Sequence, residues 1–153
     1  MIYFTCSKED LVPIVWGNVR WLDQTVDYEL AKHYWQALGY PLSQRTWRSA
    51  HEYGYRYAAI IKNDQIISCA GEWRFSEDCG EIAAVSTLEQ YRRRGASKQV
   101  VAFITDYILS KGKTATCSTD DDNIAMIATA KSVGYREIPK DKVWWTYPRL
   151  PEF

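Results

Sequence analysis

The sequence predicts a mixed α+β fold, a mostly antiparallel sheet flanked by helices, and three observations lead there. Tyr55 to Lys62 is rich in aromatic and β-branched residues, and only short polar stretches separate it from Gln65–Trp73 and Glu81–Thr87. Strands joined by such short links pair antiparallel, because a parallel crossover needs a dozen or more residues. From Gly95 onward the pattern becomes helix, strand, helix, with glycines at the boundaries. With 153 residues, 46% of them hydrophobic and 25% charged, the chain has the size and composition of one globular domain, expected over 1–153.

Ile2 to Thr5 reads as a first strand. Ser7 with Asp10 three residues on has the form of a helix-capping pair, so a helix is expected there, limited by Pro13. Asp27 is the expected N-cap of a helix to about Leu38, with Leu30, Tyr34, Ala37 and Leu38 on one face and Gly39 as its stop. Tyr55–Lys62, Gln65–Trp73 and Glu81–Thr87 form the meander, and Asn63-Asp64 supplies its first turn. Gly95 to Ser110 follows as a helix with Val100, Val101, Ile104 and Ile108 inward. Thr114 to Ser118 is short enough for a central strand, and Asp120, Asp121 and Asp122 lead as caps into a helix from Asn123 to Val133, closed by Gly134. A last strand pair is expected near Tyr135–Ile138 and Val143–Tyr147.

Charge and residue usage narrow the function. Lysine plus arginine total 19 and aspartate plus glutamate total 19, so the basic excess of a nucleic-acid-binding domain is missing and no nucleic-acid partner is expected. No run approaches the roughly 20 apolar residues that span a bilayer, and the first ten residues lack the basic and apolar segments of a signal peptide, so neither membrane nor export is expected. Cys6, Cys69, Cys79 and Cys117 are widely spaced and His33 and His51 are the only imidazoles, which predicts reduced thiols, a cytoplasmic protein and no metal site. Catalysis would fall to carboxylates, hydroxyls and backbone.

The stretch with the most chemistry is Val85-Ser86-Thr87-Leu88-Glu89-Gln90-Tyr91-Arg92-Arg93-Arg94-Gly95-Ala96-Ser97-Lys98. A strand ends, a basic turn follows, and a helix starts at a glycine followed by two small residues. The first N–H groups of a helix lack intrahelical partners and sit at the positive end of its dipole. Small residues there admit a bulky anion, and the neighbouring arginines and Lys98 add charge, which together make a phosphate site. Three arginines in a row also fit a solvated face. Neither GxGxxG nor GxxxxGK[ST] occurs, so dinucleotide and P-loop sites are not indicated.

Arg92-Arg93-Arg94-Gly95-Ala96-Ser97 resembles the [R/Q]-x-x-G-x-[G/A] motif of the GNAT superfamily of N-acetyltransferases, with Ser97 in place of the last glycine or alanine. Asn123 to Tyr135 resembles the same family's N-x-x-[A/S]-x-x-x-[Y]-x-x-x-G-[F/Y] helix, and the resemblance spans about 55–147. It implies a cofactor-binding core over 55–147 and variable acceptor-side helices over 1–54. It implies acetyl-CoA as acetyl donor and no metal, with the pyrophosphate on the turn around Arg92, Arg93, Arg94, Gly95, Ala96, Ser97 and Lys98. Serine is still small and its hydroxyl is able to donate to a phosphate, so cofactor binding is expected to survive this departure. The pantetheine arm would pair with Val85, Ser86 and Thr87, and Asn123 would meet the cofactor near the thioester or the pantetheine amide.

The implied reaction is direct attack of a primary amine on the thioester in a ternary complex. An ammonium near pKa 10.4 must first lose a proton, at a cost of roughly 4 kcal/mol at neutral pH. Glu81 and Glu72 are the candidate general bases; either also fits an ion-pair partner. Ala130 stands where the family often has a tyrosine that protonates the departing thiolate, leaving Tyr135 or Ser132 as substitutes. The acceptor is a small-molecule or peptide amine, and Trp16, Trp21, Trp35 and Trp47 with Tyr28, Tyr34, Tyr53, Tyr55 and Tyr57 either line its pocket or build the core. A non-catalytic acyl-CoA-binding module or sensor is the alternative, followed by a domain whose arginine run meets an acidic partner. Monomer and homodimer are both expected states.

Overall fold

A computed structural model describes residues 1–149; the last four residues of the expected domain over 1–153 lie outside the described residues. Seven strands form one sheet: β1 (Ile2–Cys6), β2 (Val19–Trp21), β3 (Tyr55–Lys62), β4 (Gln65–Trp73), β5 (Cys79–Thr87), β6 (Thr114–Thr119) and β7 (Arg136–Ile138). Their spatial order is β2-β3-β4-β5-β6-β1-β7. β2 to β5 are an antiparallel meander, and β3 turns into β4 through Asn63 and Asp64 at φ 53° and 59°. Two left-handed residues in a two-residue loop match the twist of a hairpin, and Asn and Asp tolerate that conformation.

Helices cover both faces. α1 (Tyr28–Ala37) and α2 (Gln44–Glu52) pack on one, where Ala31, Tyr34 and Trp47 meet Ala59, Ile66 and Cys69. On the other, α3 (Ala96–Ser110) places Val100, Val101, Ile104 and Ile108 in a core with Ala58, Ala70 and Ile82, joined by Ala130 and Val133 of α4 (Ile124–Val133). The 3.6-residue spacing of these apolar side chains is what buries one stripe of α3. No helix among the described residues is long and apolar enough to cross a membrane.

Four expectations are corrected. Ser7 and Asp10 do exchange hydrogen bonds, Asp10 N–H to Ser7 Oγ at 3.3 Å and Ser7 Oγ to Asp10 Oδ2 at 3.0 Å, but they close a turn and no helix follows. Asp27 stands at the N-cap position of α1 as expected, but its carboxylate makes no capping bond, because Arg20 holds it through both oxygens at 2.8 and 3.0 Å. Asn123, not the three aspartates before it, caps α4 by accepting from Met126 N–H at 3.2 Å. Val143–Tyr147 is not a strand: after Pro139 a one-turn 3-10 helix (Lys140–Lys142) turns the chain out of the sheet. The place beside β6 is filled instead by β1, which pairs with β6 on one edge and β7 on the other.

Candidate functional site

β5 and β6 are parallel, and their pairing runs from Cys79↔Thr114 to Ile82↔Cys117. β5 continues to Thr87 and β6 to Thr119, so the two strands part beyond Ile82 and Cys117. A bulge assists the parting. Gly71 faces Ala83 and Cys69 faces Ser86, so Ala84 and Val85 together oppose Ala70, and Ala84 sits at φ 51°. Such a bulge leaves its extra residue out of the ladder and bends the strand.

Between the parted strands lies a cleft of about 930 Å³, within the roughly 300–1,000 Å³ of ligand sites. Val85, Ser86 and Thr87 form one wall, Cys117, Ser118 and Thr119 the other, and Arg92, Arg93, Gly95, Ala96, Ser97 and Lys98 its end. Asn123, Met126, Thr129 and Ser132 of α4 line it as well. Arg94 is exposed and does not line it. Arginine and lysine occur among the lining residues, aspartate and glutamate do not.

The end wall is the N-terminus of α3. Arg93 and Gly95 are left-handed at φ 64° and 77°, with a negative-φ residue between them. Alternation of this kind turns successive N–H groups toward a common centre. Gly95 is the N-cap and provides no side chain for the first N–H groups, whereas α2 and α4 are capped by Ser43 and Asn123. The first turn of α3 therefore keeps donors for a ligand. Arg92 is pinned across the turn, its Nε–H donating to Thr87 O at 3.0 Å.

Ser97 lines the cleft, but its hydroxyl is engaged inside the protein. Ser68 Oγ donates to Ser86 O at 3.0 Å and therefore accepts from Thr87 Oγ1 at 2.8 Å. Thr87 Oγ1 in turn accepts from Ser97 Oγ at 2.6 Å. A hydroxyl has one proton to give, so that of Ser97 points inward and is not offered to a phosphate.

The two candidate carboxylates lie on opposite faces. Glu81 pairs across the ladder with Trp73, and Trp73 with Tyr55, which puts all three on the α1/α2 face. Glu81 also pairs with Thr116, one rung before the strands part. It is 8% exposed, and Thr116 Oγ1 donates to its Oε1 at 3.1 Å, as does Tyr147 OH. Burial raises its pKa above the usual carboxylate range, and the two hydroxyls pull the other way.

Glu72 faces α3, 1% exposed, and accepts from Arg56 Nε at 3.1 Å. The Arg56 guanidinium is in turn stacked on Trp21 at 3.5 Å and Tyr107 at 4.1 Å. Glu72 is thus held away from the cleft, in a network that braces α3 on the sheet. Of the proposed acids, Tyr135 is buried against Thr105 at 2.8 Å, Ser132 lines the cleft with its hydroxyl donating to Thr129 O at 2.7 Å, and Ala130 is in the core. Cys117 faces the cleft, but burial pushes its thiol up to about 12, so it is no thiolate nucleophile at neutral pH.

The aromatic residues of the α1/α2 face form a row. Tyr57, Tyr55, Trp73 and Tyr147 lie nearly parallel, at interplanar angles of 12°, 2° and 11° and centroid spacings of 6.4, 5.4 and 5.8 Å. Their faces are turned to one another, so the row presents edges outward and is not a cation–π cage. Tyr147, Ser118, Thr129 and Met126 were missed from sequence; no local spacing marks a residue that meets Glu81 across 66 positions.

A family model described as FR47-like protein matches residues 60–145. No curated protein matches the sequence. Among solved structures, a GNAT-family protein from Novosphingobium aromaticivorans superposes with a TM-score of 0.72 at 19% identity, over 90% of this chain and 59% of that one. A GNAT-family acetyltransferase from Colwellia psychrerythraea gives 0.72 at 14%, over 89% and 52%. The chain thus spans little more than half of these two relatives. The ribosomal-protein-S18-alanine N-acetyltransferase of Escherichia coli gives 0.65 at 21%, over 79% and 78%. The aminoglycoside acetyltransferase AAC(6')-Iy, solved with a CoA-containing bisubstrate analogue, gives 0.66 at 15%, over 86% and 97%.

Proposed function

Because the chain belongs to the FR47-like family, within the GNAT superfamily, we propose that it is an N-acetyltransferase that moves the acetyl group of acetyl-CoA to a primary amine. The observation that carries this reading is the cleft itself: parted parallel strands ending on an uncapped helix N-terminus, lined by arginine and lysine and by no carboxylate. A pyrophosphate fits the N–H groups of Gly95 to Lys98, with Arg93 and Lys98 beside it. An extended amide-bearing arm fits the backbone edge that β5 leaves unpaired after Ile82. The N–H groups freed by the Ala84–Val85 bulge are donors for the charge that develops on the thioester oxygen.

In the reaction the ammonium gives one proton to Glu81, the freed amine nitrogen bonds to the thioester carbon, the C–S bond breaks, and the second N–H proton passes to water once the thiolate has left. Its raised pKa brings the carboxylate nearer to the operating pH of a general base. The thiolate leaves without an acid, at a penalty of about 2 kcal/mol for a thiol near pKa 8.5. A high-pKa Cys117 supports direct transfer over an acyl-cysteine intermediate.

The acceptor is a small-molecule or peptide amine, approaching from the α1/α2 face. Two solved relatives bear names that include a ribosomal-protein alanine and an aminoglycoside, and peptides with N-terminal alanine and aminoglycoside amines lead the panel to be tested. Incubation with acetyl-CoA should yield acetylated amine by mass spectrometry and free CoA thiol in equal amounts. Binding of acetyl-CoA with no thiol release from any amine would instead leave a non-catalytic acyl-CoA-binding module.

A further inference from the structure

The C-terminal stretch Val143–Arg149, which carries neither family motif, brings Tyr147 to Glu81 and Trp145 to Tyr147. Tyr147 lies against Trp73 at 5.8 Å and against Phe75 at 5.0 Å, and its hydroxyl donates to Glu81 Oε1. Trp145, 7% exposed, donates its Nε1–H to the Tyr147 oxygen at 2.9 Å. An indole N–H is a donor only, so it occupies the acceptor side of the phenol and leaves the phenol proton for the carboxylate. Thr116 Oγ1 donates to the same Oε1 at 3.1 Å. Both donors load one oxygen, and Glu81 Oε2 takes no hydrogen bond from a described residue.

We propose that Tyr147 is the positioning residue of Glu81: the chain Trp145–Tyr147–Glu81 fixes the carboxylate plane through Oε1 and leaves Oε2 to take the proton of the acceptor amine. This rests on the reading of Glu81 as general base. Tyr147 is not consumed; it stays a phenol while the proton lands on Oε2, the C–N bond forms and the sulfur leaves with the C–S electron pair. The arrangement makes the C-terminal segment a working part of the acceptor side, on the same sheet face as α1 and α2.

The other titratable groups around Glu81 do not compete with it. Tyr55 comes from β3, Cys79 from its own strand, Cys117 from β6, Tyr135 from the turn after α4, and Tyr147 from the C-terminal segment. Burial raises each of them, so all stay neutral while the carboxyl titrates. A donor to the ionised carboxylate lowers its pKa, as the Tyr147 hydroxyl does here. Tyr147→Phe therefore shifts Glu81 to higher pH.

The test is a carbon-13 NMR titration of protein labelled at the glutamate side-chain carboxyl carbon, with the Glu81 signal identified by its loss in Glu81→Gln. Tyr147→Phe should move the Glu81 midpoint upward. Trp145→Phe, which loosens the phenol but keeps it, should move it less in the same direction, and Phe75→Leu, which removes only packing, should leave it in place. A midpoint unmoved in folded Tyr147→Phe, or moved equally by Phe75→Leu, overturns the inference and leaves the proposed activity standing. Full thiol release by Glu81→Gln with an accepted amine overturns the base reading, and the positioning role with it.

Discussion

Ser97 occupies a motif position where glycine or alanine is usual, and its hydroxyl is spent inside the protein on Thr87, at 2.6 Å. Ser97→Ala should therefore cost about 1 kcal/mol of stability, the net worth of a hydrogen bond, while the affinity for CoA stays within about twofold. Denaturant unfolding and calorimetry read the two quantities separately. The carboxylates divide in the opposite way. Glu72→Gln leaves Arg56 with its Nη2 already unpartnered and now without its counter-ion. Burial raises the pKa of the carboxylate that is removed, which offsets part of the loss, so the substitution should cost about 1–2 kcal/mol with no change in the pH profile of catalysis. Glu81→Gln should lower kcat by about 10²–10⁴-fold and erase the acid limb of that profile. Glu81 binds its proton more tightly folded than unfolded. The stability it contributes is thus full below the unfolded carboxyl pKa and lost as pH rises through the folded value, so Glu81→Gln should unfold later than the parent above that window. The two glutamates were equivalent as sequence, one strand residue each; only the pleat, which sends Glu72 under α3 and Glu81 toward the aromatic row, separates them.

Elements are held together at their ends. Gly134 closes α4 at φ 119°, and a Cβ there would lie 2.1 Å from Asp10 O. The loop after β1 is packed on this helix end, with Val12 N–H donating to Val133 O at 2.9 Å. Gly134→Ala should then cost on the order of 3 kcal/mol or more, from left-handed strain and a backbone clash together, and thermal unfolding measures it. Gly95 has the same handedness but open space around its Cβ position. Gly95→Ala should cost only the left-handed term, about 1–2 kcal/mol. The hairpin turn at Asn63-Asp64, the Gly95 helix start and the Gly134 stop were legible because each rests on residues a few positions apart. α2 was not: its nine residues are largely polar, and only Trp47 and Ala50 are buried, too short a stripe to announce a period. The strand Val19–Trp21 is three residues long and exists only because β3 offers it an edge.

At the scale of the molecule, the sheet is closed by its first strand. Ile2–Cys6 lies between β6 and β7, pairing with both. Removing residues 1–6 strips two ladders at once and buried Phe4 from the core, and should abolish cooperative unfolding by circular dichroism. Sequence could not show this place, since Phe4 meets Cys117 and Glu137 across the whole chain. The same holds for Tyr147 against Glu81, whereas the basic turn from Arg92 to Lys98 at the cleft end could be read from one contiguous stretch. The cleft depends on β5 and β6 parting after Ile82 and Cys117, with the α3 N-terminus at its end. Its charge points to one ligand class. Calorimetric titration with acetyl-CoA, beside an Arg93→Glu/Lys98→Glu variant that reverses charges at the cleft end, tests that claim most directly. Saturable one-to-one binding that weakens at least about tenfold in the variant, with an unchanged melting temperature, is the predicted result. An absence of binding to the parent protein, or equal binding by both, would contradict it.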